Sequence, residues 1–240
     1  MPIFRFMSQI HLWLGVIVGA QVMLWLISGL FMVLWPIETV RGEHLRTPPA
    51  VETLDWLDAA RTPGAIAAQL DLAVTGARTG TLAGRPVWHF VTPEGMVTAD
   101  AVSGERLSPV PMALALEIAE ARYSGAGTAR GVSWHETPPR EAGLGVPAWR
   151  VDFNEPDAAS FYINAQTGEL RAVRTTLWRA FDVMWGLHIM DWSTRENFNS
   201  WWIKATSVFA VLFALAGVVL TVLRLKAMMR KRRAVKRAAS

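Results

Sequence analysis

The chain of 240 residues contains no cysteine. That removes disulfides, a thiolate nucleophile and every sulfur-ligated metal site, and leaves histidine, present five times, as the main candidate ligand. The two ends lack acid: no Asp or Glu lies before Glu38 or after Glu196. Charge is sparse as well, at 18% of residues against 52% hydrophobic, which is more apolar than a water-soluble globule of this size. Also missing are an H-E-x-x-H motif, a G-x-S-x-G turn, a Ser-His-Asp order and a phosphate-cradling glycine loop. Hydrolase chemistry finds no support.

Two long apolar runs are present. From Ile10 to Pro36 the only strongly polar residues are His11 and Gln21, and from about Trp201 to Leu223 the run is broken only by Lys204. Each exceeds or matches the roughly 20 residues that cross a hydrocarbon core. The expectation is a cytoplasmic N-terminus over 1–9, a transmembrane helix over 10–36, a second over 199–225 and a basic tail over 226–240. Arg5 supplies a short positive region ahead of the first run, but that run outlasts a signal-peptide core and no A-x-A site follows, so it reads as a permanent anchor. Gly15 and Gly19 in the first span, and Ala210, Ala214 and Gly217 in the second, give small-residue faces for helix packing.

The overall charge of +4 conceals an asymmetry. Between Arg224 and Arg237 lie eight basic residues and no acid; setting these, Arg5 and Lys204 aside leaves 14 basic against 20 acidic residues, a middle region of −6. The excess of Lys and Arg at the ends places both termini in the cytoplasm and residues of about 38 to 198 in a bacterial periplasm, across the inner membrane. Despite the pI of 9.9, the basic block abuts a span, so it reads as an anchor touching anionic lipid. No nucleic-acid partner is expected.

The middle region repeats itself. "PVWHFVTPEGMVTADAVSGERLS" (86–108) and "PAWRVDFNEPDAASFYINAQTGELRAV" (147–173) align Pro86 and Trp88 with Pro147 and Trp149, and Ala101, Gly104 and Glu105 with Ala165, Gly168 and Glu169. Each reads as a hairpin ending in a Gly-Glu turn where glycine takes a positive φ. Helix candidates precede them at 64–73 and 111–123; the second carries Leu114, Ile118 and Ala121 on one stripe, with Glu117 and Glu120 off it. The fold class is therefore α+β: two transmembrane helices flanking two small helix-plus-hairpin units, 37–108 and 109–175, that pack on one another or on the membrane. His89 reads as solvent-facing and His135 as loop.

The turns "ADAVSGERL" and "INAQTGELR" resemble the signature of PepSY domains, and the flanks resemble the transmembrane PepSY family. "IHLWLGVIVGAQVMLWLISGLFMVLWPIETVRGEHL", with its His-x-Trp-Leu-Gly and Trp-x-x-Ser-Gly steps, is similar to that family's opening span, and "LHIMDW" to its closing signature. The resemblance covers nearly the whole chain. Larger members are similar to four-span ferric-siderophore reductases that hold b-type haem between helix histidines. It implies haem b as a cofactor and His11 and His188 as candidate ligands.

Two spans cannot copy a four-helix wire, and His11 and His188 are separated by roughly the 30 Å of the core, so they cannot share one iron. The candidate partner for His188 is His44 of "VRGEHL", which otherwise reads as a solvated loop residue; as a ligand His11 would need a symmetry mate or a second protein, and otherwise it caps the cytoplasmic end of its helix or sits among lipid headgroups. Residues 176–198 read as an interfacial amphipathic helix and connector. If 177–191 is helical, Asp191 shares a face with His188 and orients it, as carboxylates do for metal-bound imidazoles. Trp13, Trp25, Trp35, Trp201 and Trp202 form an ordinary aromatic belt.

The leading expectation is a non-catalytic or accessory inner-membrane protein whose outer domain binds a periplasmic or membrane protein, as a homodimer or in a larger membrane complex. Two others stand beside it: a haem b electron-transfer component of ferric reduction, and a structural subunit of an energy-transducing assembly.

Overall fold

Two long helices form the ends of the chain in this computed structural model, which describes residues 2–48, 58–154, 156 and 158–238, with the backbone alone at 2–11, 220, 223–224 and 231–238. Helix α1 runs Pro2–Val33 and α6 runs Trp201–Ala238. Together with the segment from Asp182 they make one compact unit; Trp35–Phe181 make the other. Within α1 and α6, Leu12–Val33 and Trp201–Val219 are long and apolar enough to span a membrane, and almost none of either is covered by protein. Trp13, Ile17, Leu26 and Val211 each expose more than half their surface, which costs about 25 cal/mol per Å² in water and nothing in lipid. α1 starts ahead of the expected 10–36 and stops short of its end, and α6 starts inside the expected 199–225 and runs past its end. α6 continues through the basic segment, so the tail is a helical extension rather than a separate piece.

α1 stops ahead of Pro36, whose ring disfavours helix at Trp35 and whose carbonyl starts the short helix α2, Ile37–Val40. Of the expected packing residues, Gly15 meets α6: a Cβ there would lie 3.3 Å from Phe213 Cζ. Ala210 is half-buried, whereas Gly19, Ala214 and Gly217 are exposed. Those three do not line a contact among the described residues.

The other unit is built twice from one plan. Helix α3 (Pro63–Gln69) precedes an antiparallel meander of β1 (Gly76–Leu82), β2 (Arg85–Thr92) and β3 (Gly95–Asp100). Helix α4 (Met112–Arg122) precedes β4 (Ala129–His135), β5 (Ala148–Phe153), β6 (Ser160–Asn164) and β7 (Leu170–Arg174), a separate four-stranded sheet. The hairpins read from sequence are β2–β3 and β5–β6; the strand that precedes each of them, β1 or β4, lies outside that reading. "GARTGTL" has no large apolar residue before Leu82, because an edge strand with little buried surface needs none.

Hydrogen bonds repeat with the sequence. Trp88 Nε1 donates to Arg61 O (3.1 Å) and Trp149 Nε1 to Val110 O (2.7 Å), each carbonyl two residues ahead of its helix. Asp100 Oδ1 accepts from the N–H groups of Val102 and Ser103, and Asn164 Oδ1 from those of Gln166 and Thr167. Gly104 and Gly168 follow at φ of 77° and 70°.

The two copies share one core. Leu45, Val87, Leu107, Leu114, Ile118, Val151, Phe161 and Ile163 pack in a single cluster, with Tyr123 stacked on Phe153 at 3.9 Å between centroids. On the far side of the first sheet, Phe90 and Val97 pack with Ile66 of α3. The buried face of α4 is Leu114, Ala115, Ile118 and Ala119, while Ala121 is exposed. The stripe expected through Ala121 is thus shifted to the side of Ala115 and Ala119. His89 is 3% exposed, not solvent-facing, because the face of β2 that carries it packs on the turn of the second copy: Thr98 Oγ1, its partner, donates to Gln166 O at 2.7 Å. His135 ends β4 rather than lying in a loop.

Candidate functional site

Helix α5, Thr176–Ile189, carries a half-apolar face and ends in a tight reversal. Met190 takes φ of 55°, its N–H reaches Leu187 O, and the N–H of Asp191 reaches Gly186 O at 3.1 Å. This pairing satisfies the last carbonyls of the helix. It also takes Asp191 off the helix.

Asp191 therefore does not share a face with His188. Its Oδ1 accepts from Ser193 N and Oγ and from Thr194 N, and its Oδ2 from Thr194 Oγ1 (2.5 Å) and the N–H groups of Glu196 and Asn197 (both 3.1 Å). The Thr194 hydroxyl, then the backbone donors, hold its carboxyl well below the usual range. The aspartate organises the loop into α6 and does not orient the histidine. Arg195 returns from that loop across Gly186, where a Cβ would sit 2.9 Å from its Cγ, to pair with the buried Asp182. Its carbonyl accepts from Trp185 Nε1 at 2.9 Å.

His188 finds its partner on α1 instead. Its Nδ1 lies 3.0 Å from Ser28 Oγ, and a Cβ on Gly29 would stand 3.4 Å from its Cε1, so the ring lies against bare backbone. Ser28 is 1% exposed and its hydroxyl also reaches the helix carbonyls of Leu24 (2.7 Å) and Trp25 (3.2 Å). A hydroxyl has one proton and carbonyls only accept. That proton goes to the helix, so Nδ1–H donates to Ser28, and Nε2 is the nitrogen not committed to that bond. An imidazole fixed in this tautomer is prepared as a metal ligand or a proton acceptor. Ser28 lies about 7 Å inside the end of α1 at 1.5 Å per residue, which puts His188 beside the apolar span rather than outside it. One turn before Ser28, the Trp25 indole N–H is buried without an acceptor among the described residues.

His11 is remote from that pair. His11 lies on α1, its side chain outside the described residues, and its position is roughly 26 Å along the helix from Ser28. His44 is exposed on the 3-10 turn Glu43–Leu45 of the other unit. No group of three or more metal-binding side chains occurs among the described residues. Sequence reasoning missed Ser28, Asp182 and Arg195. The Trp-x-x-Ser-Gly step was the available signal for the first, since a serine and glycine together in a span offer a small polar seat.

Within the domain, Glu141 anchors the start of α5. It takes a two-pronged bond from Arg179 (2.9 and 3.0 Å) and one from Tyr162 Oη at 2.6 Å. Burial raises its pKa, but the bonds from Arg179 and Tyr162 outweigh that and hold it low.

A family model described as the PepSY-associated TM region matches residues 8–239. Neither the curated proteins nor the solved structures gave a match.

Proposed function

Given that the chain belongs to the PepSY-associated TM family, we propose that it is an inner-membrane binding protein that holds its two-copy domain in the periplasm for a protein partner. The charge asymmetry supports that orientation, with the basic segments cytoplasmic. One observation carries the binding role: β1 and β4, in equivalent places of the two copies, are seven-residue edge strands. Thr79 and Ser133 are exposed at their centres. Such edges present unpaired backbone donors and acceptors that a partner strand completes. Anchoring by both ends raises the effective concentration of the domain at the membrane.

A photo-crosslinker at Thr79 or Ser133 in intact membranes is expected to capture one defined protein. The intact chain recovers that protein from detergent and a chain lacking residues 49–175 does not. Absence of a defined adduct at both edges, or equal recovery without the domain, sinks this reading.

The Ser28–His188 pair favours a second reading, one-electron transfer through haem b, which supplies that chemistry when bound. His188 would be the residue to hold such a group, through Nε2, with its ring seated on the bare backbone of Gly29. The buried Trp25 N–H fits an acceptor on such a group. A further protein ligand would have to come from another copy or protein, since His11 is roughly 26 Å along the helix from Ser28. An absorption spectrum with and without dithionite decides: an α-band abolished by His188→Ala supports haem, and a colourless preparation removes it.

A further inference from the structure

Four guanidinium groups converge on one cleft of the domain, of about 730 Å³. Arg46 follows the 3-10 turn, Arg78 lies on β1, Arg122 ends α4 and Arg171 lies on β7; Glu169 is the one carboxylate among the lining residues. Glu169 is taken by Arg78 at 2.9 Å. Arg46 leans on Glu43, outside the cleft, at 3.5 Å. Three cations thus face a space with no further carboxylate among the described lining residues, in a region whose net charge is −6.

One of the three heads is also held in place. Arg122 Nε donates to Thr47 O at 2.7 Å, which fixes its plane. Burial, then the charge of Arg46, lowers the pKa of Arg122, as a neighbouring like charge does. All 14 basic residues of the middle region are arginine, and no lysine occurs before Lys204. Planar guanidinium forks suit carboxylate and phosphate oxygens, which they bind two-pronged.

The remaining walls describe the rest of the ligand. Leu82, Ala83, Ile118 and Leu170 give an apolar side, which suits a carbon skeleton. His89 adds one acceptor: Thr98 Oγ1 spends its proton on Gln166 O, so His89 Nδ1–H donates to Thr98 at 2.8 Å and the ring's lone pair sits on Nε2. That edge lies over Gly80, where a Cβ would come within 2.7 Å of Nε2. The volume falls within the range of pockets that enclose small organic ligands, about 300–1,000 Å³.

We propose that this cleft binds a small soluble organic anion bearing two or more carboxylate or phosphate groups, gripped by Arg46, Arg122 and Arg171 with its skeleton on the apolar wall. The inference is independent of the partner and of haem.

Titration calorimetry on the full chain in neutral detergent tests it, with citrate and pyrophosphate as probes and acetate as the monoanion control at matched ionic strength. One site per chain is expected for citrate or pyrophosphate, with acetate weaker by about tenfold or more. Arg122→Gln and Arg171→Gln each weaken binding about tenfold. Arg171 is exposed and bears no described bond, so its substitution leaves the thermal midpoint unchanged and separates lost binding from lost fold. No heat from either polyanion at millimolar concentration overturns the proposal. So does equal binding in both variants, which moves the anion to the basic tail. Loss of citrate binding on adding phosphatidylglycerol to the micelles gives the cleft to a lipid headgroup and overturns the soluble anion.

Discussion

Ser28 and His188 are 160 positions apart in the chain and 3.0 Å apart in space. The first belongs to the Trp-x-x-Ser-Gly step of the opening span and the second to the closing "LHIMDW", so the two most family-like stretches of the sequence meet in one hydrogen bond. The bond ties α5 to α1 within the helical unit. Because the serine proton is committed to helix carbonyls, its consequence is chemical as well as structural: it decides which ring nitrogen is bare.

Ser28→Ala removes the acceptor from Nδ1–H and leaves that donor in apolar surroundings, at a cost of about 1–3 kcal/mol. Histidine-labelled protein in micelles reports the ring nitrogens directly by ¹⁵N resonance. Wild type is expected to show the Nδ1–H tautomer alone whenever the ring is uncharged, and the variant a mixture of tautomers with a lower thermal midpoint. Identical nitrogen shifts in the two proteins rule out Ser28 as the group that fixes the tautomer.

Glycine substitutions separate strain from crowding. Gly84 has φ of 79° with open space about it, whereas Gly168 has φ of 70° and a Cβ there would lie 2.8 Å from Leu82 Cδ1 and Cδ2. Alanine at Gly84 meets only the left-handed backbone penalty, about 1–2 kcal/mol. At Gly168 overpacking adds about 1–3 kcal/mol more, since Leu82 and Ile118 belong to the shared core. Denaturant midpoints are expected to fall in the order wild type, Gly84→Ala, Gly168→Ala; equal losses remove the contact between that turn and the first copy.

Much of this fold was legible, and the rest hid for physical reasons. The apolar runs announce α1 and α6 because a bilayer demands length and hydrophobicity, while the repeated Pro-x-Trp and Gly-Glu turns announce two copies because a positive φ admits few residues. The edge strands β1 and β4 stayed unread because exposed strands carry no alternating apolar pattern. His188 was singled out, but its partner was sought on the adjacent turn at Asp191. A helix that reverses at Met190 cannot be distinguished by periodicity from one that continues two residues further. The link to Ser28 is tertiary, and spacing says nothing about it.

The paired tryptophans offer a test of the repeat itself. Trp88→Phe and Trp149→Phe each keep an aromatic ring but delete the N–H bond to the carbonyl ahead of α3 or α4, at about 1 kcal/mol apiece. The two bonds share no partner, so the double variant is expected to lose the sum to within about 0.5 kcal/mol. Chemical denaturation of the three variants measures it. A loss confined to one tryptophan shows that the two copies do not use this tether alike.

Asp191 gives the pH dependence a definite sign. Its carboxylate accepts from Thr194 Oγ1 and from the N–H groups of Ser193, Thr194, Glu196 and Asn197, so its folded pKa lies below the value near 4 of an unfolded aspartate. A carboxyl depressed on folding stabilises the protein fully above its unfolded pKa, and that contribution fades as pH falls toward the folded one. Asp191→Asn keeps one carbonyl oxygen but loses the charge that draws these donors. The stability gap between wild type and variant is therefore expected to be constant from about pH 5 to 8 and to shrink below about pH 4. Backbone exchange over residues 191–197 rises in the variant over the same upper range. A gap that widens as acid is added reverses the sign and removes Asp191 as the organiser of the loop into α6.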